Sequence, residues 1–102
     1  MTEHWTLLTS HGLVLVYLAG QPTATVREAA DNLGLSERRV AAVIRDLESA
    51  GMVCATRHGR RKRYALGPGA QFRHPALHHV KLREVLELLR VATSAASHRG
   101  PG

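Results

Sequence analysis

The chain has 102 residues, which is enough for one domain with a modest hydrophobic core. Its formal net charge of +6 and pI of about 10.7 predict a polyanionic partner, either nucleic acid or an anionic membrane surface. Cys54 is the only cysteine, which excludes an intrachain disulfide and fits a reducing cytoplasm. No signal peptide is expected, and the longest apolar run, residues 13–19, is too short for a membrane span.

The first predicted helix covers residues 10–19, a stretch rich in apolar side chains. Thr9 or Ser10 can cap its start, and Gly20 ends it. A very short strand is expected at residues 23–25, which include β-prone threonines.

The second predicted helix covers residues 26–33. Thr25 and Glu28 have the spacing of a capping box, in which each side chain satisfies a free backbone N–H of the first turn. Gly34 suits the left-handed conformation that ends a helix. The apolar stripe of this helix consists of Val26, Ala29, Ala30 and Leu33.

The third predicted helix covers residues 36–50 and follows the second after a tight turn. Ser36 is a good N-cap, and Gly51 closes the helix. Its apolar positions recur with helical spacing and are Val40, Val43, Ile44 and Leu47.

A β-hairpin is predicted over residues 53–66, with its turn at residues 58–61. Glycine and proline at residues 67–69 then interrupt regular structure. A last helix is expected from Pro75 to about residue 95, and its apolar side is wide enough to predict a second copy of the chain as partner. The residues expected to make that dimer contact are Leu82, Val85, Leu86 and Leu89.

These elements predict an α+β fold, mostly α: a winged helix-turn-helix with N-terminal and C-terminal dimerisation helices. Two helices joined by a short turn containing glycine are the helix-turn-helix signature, and the basic hairpin takes the place of the wing. One domain is expected over residues 1–93, followed by a disordered tail at residues 96–102.

The third helix is the predicted recognition helix of this arrangement. Such a helix enters the major groove of DNA with its outward side chains toward the base edges. Ser36 and the free N–H groups at the helix start are expected to hold a phosphate. The residues expected to face the groove are Arg38, Arg39, Ala42 and Arg45.

Positive charge is concentrated in the third helix and the hairpin. Residues 36–63 contain eight cations and three acids, a net charge of +5, so nearly all of the excess lies in about a quarter of the chain. The hairpin side chains expected to contact phosphates or the minor groove are Arg57, Arg60, Arg61, Lys62 and Arg63.

The sequence resembles the MarR-type winged helix regulators and overlaps in build with the ArsR type. The resemblance covers roughly residues 6–92, and its most specific part is LSERRVAAVIRDLESAGMV at residues 35–53. It also extends to a compact single-domain bacterial subgroup with a His-Pro pair before the last helix, as at His74 and Pro75. The resemblance implies a homodimer that uses the first and last helices and binds a palindromic operator. A cytoplasmic, nucleoid-associated location and no cofactor are also expected. A homodimeric repressor that binds duplex DNA is the leading hypothesis.

Several alternatives remain open at this stage. An ArsR-like sensor would bind a metal through His74, His78 and His79, although Pro75 reduces His74 to a cap residue and no carboxylate or further cysteine lies near in sequence. A redox role for Cys54 would need an exposed, thiolate-prone sulfur, whereas strand cysteines are usually small apolar residues.

An unknown small-molecule effector is a further hypothesis, with Trp5 and Tyr17 lining a pocket between the first helix and the dimer helices. Such aromatic residues more often fill a core. A protein-interaction adaptor with the same fold is the main rival function. Enzyme activity is not expected, because the sequence has no catalytic triad order, paired carboxylates or phosphate-binding glycine loop.

Overall fold

The computed structural model describes residues 6–97, and it describes side chains for residues 6–89. Four helices and one two-stranded antiparallel sheet make up this part of the chain. In chain order the elements are α1 (Ser10–Gly20), α2 (Val26–Leu33), α3 (Glu37–Ser49), β1 (Val53–His58), β2 (Arg61–Leu66), a 3-10 turn (Pro75–Leu77) and α4 (Leu82–Ser97). No helix in this part is both long enough and apolar enough to cross a membrane.

The predicted capping box at the start of α2 is confirmed. The Thr25 hydroxyl accepts from the Glu28 N–H at 3.0 Å, and the Glu28 carboxylate accepts from the Thr25 N–H at 2.8 Å. Gly34 ends α2 with a φ of 70°, a left-handed conformation that favours glycine. This turn directs the chain from α2 into α3, as the helix-turn-helix pattern requires.

The core forms where α1, α2 and α3 meet. The predicted apolar face of α3 is buried, and Val40 and Val43 have no exposed surface. Val14 of α1 is buried to the same extent. Val53 and Tyr64 extend this core to the base of the sheet, and burial, followed by the charge of Glu48, raises the pKa of the Tyr64 hydroxyl.

The predicted short strand at residues 23–25 is wrong. The segment instead turns, because the Ala24 N–H donates back to the Gln21 carbonyl at 3.1 Å. The loop before α2 meets β2 through a backbone hydrogen bond from the Tyr64 N–H to the Pro22 carbonyl at 2.8 Å, and one such bond does not make a strand ladder.

The last helix begins at Leu82, seven residues later than predicted. Pro75 starts only a 3-10 turn, in which the Leu77 N–H donates to the His74 carbonyl three residues earlier at 3.0 Å. His74 caps this turn as predicted, since its Nδ1 accepts from the Ala76 N–H at 3.0 Å. Helix α4 continues to Ser97, so the first two residues of the predicted tail are helical, and residues 98–102 lie outside the described residues.

Helix α4 packs along α1 within the same chain. Leu82 and Leu86 are 7% and 4% exposed, so two of the four predicted dimer residues already belong to the core of the single chain. Val85 and Leu89 are half-buried, and the neighbouring Leu88 is 73% exposed. The apolar side of α4 is therefore shared between the core and the surface.

The segment that follows β2 lies close to the segment that follows α3, and backbone hydrogen bonds join the two. The Gly67 N–H donates to the Met52 carbonyl at 2.8 Å, and the Gly69 N–H donates to the Gly51 carbonyl at the same distance. A Cβ atom on Gly67 would lie 2.3 Å from the Gly51 oxygen and 3.1 Å from the Cys54 sulfur. Only glycine fits at position 67 without a shift of the backbone.

Replacing Gly67 with alanine should therefore destabilise the protein. The clash lies against a backbone oxygen, so relief requires the base of the sheet to move, and we expect a loss of about 1–3 kcal/mol in the free energy of unfolding. Urea denaturation measures this value. Ala65→Ser, two residues away on an exposed site of β2, is the control and should leave the midpoint unchanged. An unchanged midpoint for Gly67→Ala would show that the backbone yields without cost.

Candidate nucleic-acid interface

The outward face of α3 carries arginines. Arg38, Arg39 and Arg45 are exposed, whereas Ala41 and Ala42 are half-buried between them and the core. Ala42 therefore faces the surface less fully than its place on the helical wheel suggests. The small alanine side chains allow DNA to approach the backbone of α3 closely. The long arginine side chains reach further outward.

Ser36 occupies the N-terminus of α3 as predicted. Its Oγ accepts from the Arg39 N–H at 3.0 Å, which fixes the start of the helix. The hydroxyl still has its own proton to donate, and the first-turn N–H groups give this end of the helix a partial positive charge. Ser36 can therefore cap the helix and donate to a phosphate oxygen at the same time.

The hairpin has a regular two-residue turn and a basic tip. In its register Thr56 pairs with Arg63, Arg57 with Lys62, and His58 with Arg61, so Gly59 and Arg60 form the turn itself. Every side chain from residue 56 to residue 63 is exposed. Paired residues share a face of the sheet, and the cations therefore project from both faces as well as from the tip.

Repulsion within this hairpin is left uncompensated. Arg57 and Lys62 lie directly opposite each other, an arrangement that destabilises a strand pair. Within the described side chains, no cation of the hairpin forms an ion pair. A surface with this much unpaired positive charge is suited to an external polyanion.

Arg61 differs from the other hairpin cations. Its Nη1 donates to the Thr23 carbonyl at 2.7 Å, in the loop between α1 and α2. It also lies near Glu28, whose pKa is lowered chiefly by the hydrogen bond from the Thr25 backbone and further by the charge of Arg61. The guanidinium is therefore turned toward the body of the domain.

One contact at this site has no signal in the sequence. The His11 Nε2 lies 2.8 Å from the Asp46 Oδ2 and links α1 to the exposed side of α3. The two residues are 35 positions apart and neither belongs to a recognisable motif, so only the packing of α1 against α3 reveals the pair. Their side chains are 40% and 65% exposed, and a polar contact at such an exposed position contributes little to stability.

The remaining candidate residues are spread over several elements. Cys54 is exposed on β1, and Tyr17 lies against α2, where Asn32 donates to its hydroxyl at 3.1 Å. Trp5, the other aromatic residue of the effector hypothesis, lies outside the described residues. Between residues 6 and 89, no group of three or more histidine, cysteine, aspartate or glutamate side chains is arranged to hold a metal ion.

Comparisons with known proteins agree with this geometry. A family described as "Winged helix-turn-helix DNA-binding" matches residues 8–53, which begin two residues before α1 and end at the first residue of β1. The chain carries a winged helix-turn-helix domain. Among solved structures, it is similar to the transcriptional regulator SlyA, at 16% identity and a TM-score of 0.54, over 92% of this chain and 79% of that one.

The winged helix-turn-helix domain is also similar to the transcriptional regulator MosR of M. tuberculosis. The identity is 15% and the TM-score 0.51, over 93% of this chain and 65% of that one, so the chain spans just under two thirds of MosR. Both structures are described as those of transcriptional regulators. At these identities the likeness establishes the fold. No curated protein is detectably similar to the chain in sequence.

The opposed cations of the wing predict an unusual result in the absence of DNA. Lys62→Ala removes the charge opposite Arg57, so we expect no loss in the free energy of unfolding, or a gain of up to about 0.5 kcal/mol. Arg63→Ala is the matched control, because Arg63 pairs with the neutral Thr56 and should bring no gain. Urea denaturation compares the three proteins. A loss above about 1 kcal/mol for Lys62→Ala would mean that Lys62 has a structural role.

Proposed function

We propose that the protein is a transcription regulator that binds duplex DNA, and that it acts as a homodimeric repressor on a palindromic operator. The observation that carries the proposal is the combination of exposed arginines on the outward face of α3 with an adjacent wing whose cations form no ion pair within the described side chains. The matched family, described as DNA-binding, and the likeness to two transcriptional regulators support it. None of these proteins is described as an enzyme.

In the proposed complex α3 enters the major groove. Arg38, Arg39 and Arg45 would reach base edges or phosphates, while Ala42 allows close approach and Ser36 donates to a phosphate at the helix start. The exposed wing side chains Arg57, Arg60, Lys62 and Arg63 would follow the backbone or enter the adjacent minor groove. Such a protein would work at the nucleoid, in the cytoplasm.

A protein-interaction adaptor is less well supported by the surface of α3. Adaptors present apolar side chains at the contact, whereas the exposed large apolar residues among those described are Leu7, Leu77 and Leu88, none of which lies on α3. The apolar surface and the basic surface are therefore on different elements. This separation suits a protein that pairs through one surface and binds DNA through another.

The proposed dimer surface is formed by α1, α4 and the segment before the 3-10 turn. A groove of about 210 Å³ opens between them, and its lining includes Leu8, Val16, Phe72, Val85 and Leu89. Leu7, 91% exposed, and Leu88, 73% exposed, add apolar surface just before α1 and on α4. Leu82 and Leu86 would support this surface from the core. Tyr17 is not part of the lining of this groove, so the groove is not the effector pocket that the sequence analysis places beside Tyr17.

A dimer would set the spacing of the two recognition helices. Two copies related by a two-fold axis place equivalent helices in successive major grooves about one helical turn apart, which is why the operator should be palindromic. Repression follows from occupancy, because a dimer that covers promoter DNA excludes the polymerase.

The roles of α3 and the wing can be separated by titration with duplex DNA. Arg38→Ala should cost roughly 1–3 kcal/mol on the preferred sequence and relax the preference at one position, because the shortened side chain cannot reach a base. Lys62→Ala should weaken binding to every sequence and lower the slope of log K against log salt by about 0.9 for each phosphate that the lysine had neutralised.

Lys81→Ala is the control for both variants, since it removes one exposed cation from the loop before α4. It should change neither sequence preference nor the salt slope. An equal loss on all sequences for Arg38→Ala would contradict the base contact, and an unchanged slope for Lys62→Ala would contradict the phosphate contact.

The dimer surface can be tested with a charge on α4. Leu88→Glu should weaken self-association at least tenfold, because a leucine that loses its burial costs about 1.5–3 kcal/mol. Sedimentation velocity over a concentration series measures the dissociation constant. Thr56→Glu is the control, because it adds the same charge at an exposed position of β1, outside the proposed dimer surface. A wild-type protein that stays monomeric, or a Leu88→Glu dimer of unchanged affinity, would contradict this surface.

A further inference from the structure

The wing is tied back to the loop that joins α1 and α2. Nη1 of Arg61 donates to the Thr23 carbonyl at 2.7 Å, and three residues along β2 the Tyr64 N–H donates to the Pro22 carbonyl at 2.8 Å. The two bonds join neighbouring residues of the loop to the outer edge of β2. Together they fix both the position and the angle of the hairpin against the helices.

Electrostatics strengthen the contact at Arg61. The Glu28 carboxylate lies close enough for its pKa to be lowered by Arg61, after the larger effect of the Thr25 backbone hydrogen bond. Glu28 is therefore ionised at neutral pH, and it belongs to the capping box that begins α2. Arg61 thus donates to a neutral carbonyl of the loop and lies in the field of a negative charge at the α2 N-terminus.

Arg60 provides the contrast. It lies in the turn at the tip of the hairpin, is exposed, and takes part in no hydrogen bond or ion pair with the described side chains. The two arginines are adjacent and carry the same charge, yet one points away from the domain and the other binds to it. Sequence alone gives them equal roles in the basic run.

We infer that Arg61 is a positioning residue that docks the wing on the α1–α2 loop, whereas its neighbour Arg60 contacts the ligand. The inference rests on the proposed binding of duplex DNA for its consequence, but the docking itself does not. A wing that is already held in place loses little conformational entropy when the domain binds DNA. The cost of ordering the hairpin therefore does not offset the free energy of its phosphate contacts. Arg61 therefore raises affinity without contacting a phosphate.

The docking can be measured without DNA. In Arg61→Ala the Tyr64 amide, whose hydrogen bond to Pro22 depends on the docked wing, should exchange with solvent about 2- to 10-fold faster, the range set by losing one hydrogen bond. Arg60→Ala, the matched control, should leave that amide at the wild-type rate. Amide exchange followed by NMR gives both rates, and an unchanged rate in Arg61→Ala overturns the proposal. Arg61→Met, which keeps a long side chain but has no N–H donor, gives the same comparison if Arg61→Ala does not fold.

The salt dependence of DNA binding provides the second readout. Arg60→Ala should lower the slope of log K against log salt by about 0.9 for each wing bound, since one phosphate is no longer neutralised. Arg61→Ala should weaken binding about 2- to 10-fold while leaving that slope at the wild-type value. A slope lowered as much as in Arg60→Ala would identify Arg61 as a phosphate contact and overturn the assignment. If the wild-type protein binds no duplex DNA, the proposed function fails, while the exchange rate of the Tyr64 amide still decides whether Arg61 docks the wing.

Discussion

Burial of the apolar face of α3 is the constraint on which the rest of the structure depends. Val40 and Val43 have no exposed surface, and they hold α3 against α1 and α2 in a single rotational setting. A helix fixed in this way must present its remaining positions outward, and those positions carry arginines. The same packing event that stabilises the domain therefore creates the surface that we propose reads DNA. A change in the rotation of α3 would disturb stability and recognition together.

Electrostatic repulsion within the wing lowers the stability of the domain. Opposed cations at Arg57 and Lys62 repel each other, and the hairpin is kept in place by its base and its edge. At the base, Gly67 allows the backbone to approach the end of α3, and at the edge the α1–α2 loop accepts hydrogen bonds from β2. The described structure thus supports an uncompensated positive charge close to α3, an arrangement that is explained by a polyanionic partner.

Local signals in the sequence were enough to predict the helix-turn-helix and the wing. The capping box at Thr25, the turn at Gly34 and the apolar period of α3 each act over a few residues, so their outcome does not depend on distant contacts. The start of α4 was not predictable in the same way, because Pro75 is compatible with both a 3-10 turn and an α-helix. The distinct role of Arg61 was hidden for another reason: its partner is a backbone carbonyl 38 residues away.

Selection of bound sequences from random duplex DNA at physiological salt tests the central claim most directly, because it measures recognition and symmetry in one experiment. The account predicts enrichment of an inverted repeat whose half-sites are about ten base pairs apart, as two recognition helices on a two-fold axis require. Weak binding that enriches no sequence and disappears as salt rises would show that the arginines of α3 serve only the phosphate backbone, and it would contradict the proposed sequence-specific regulator.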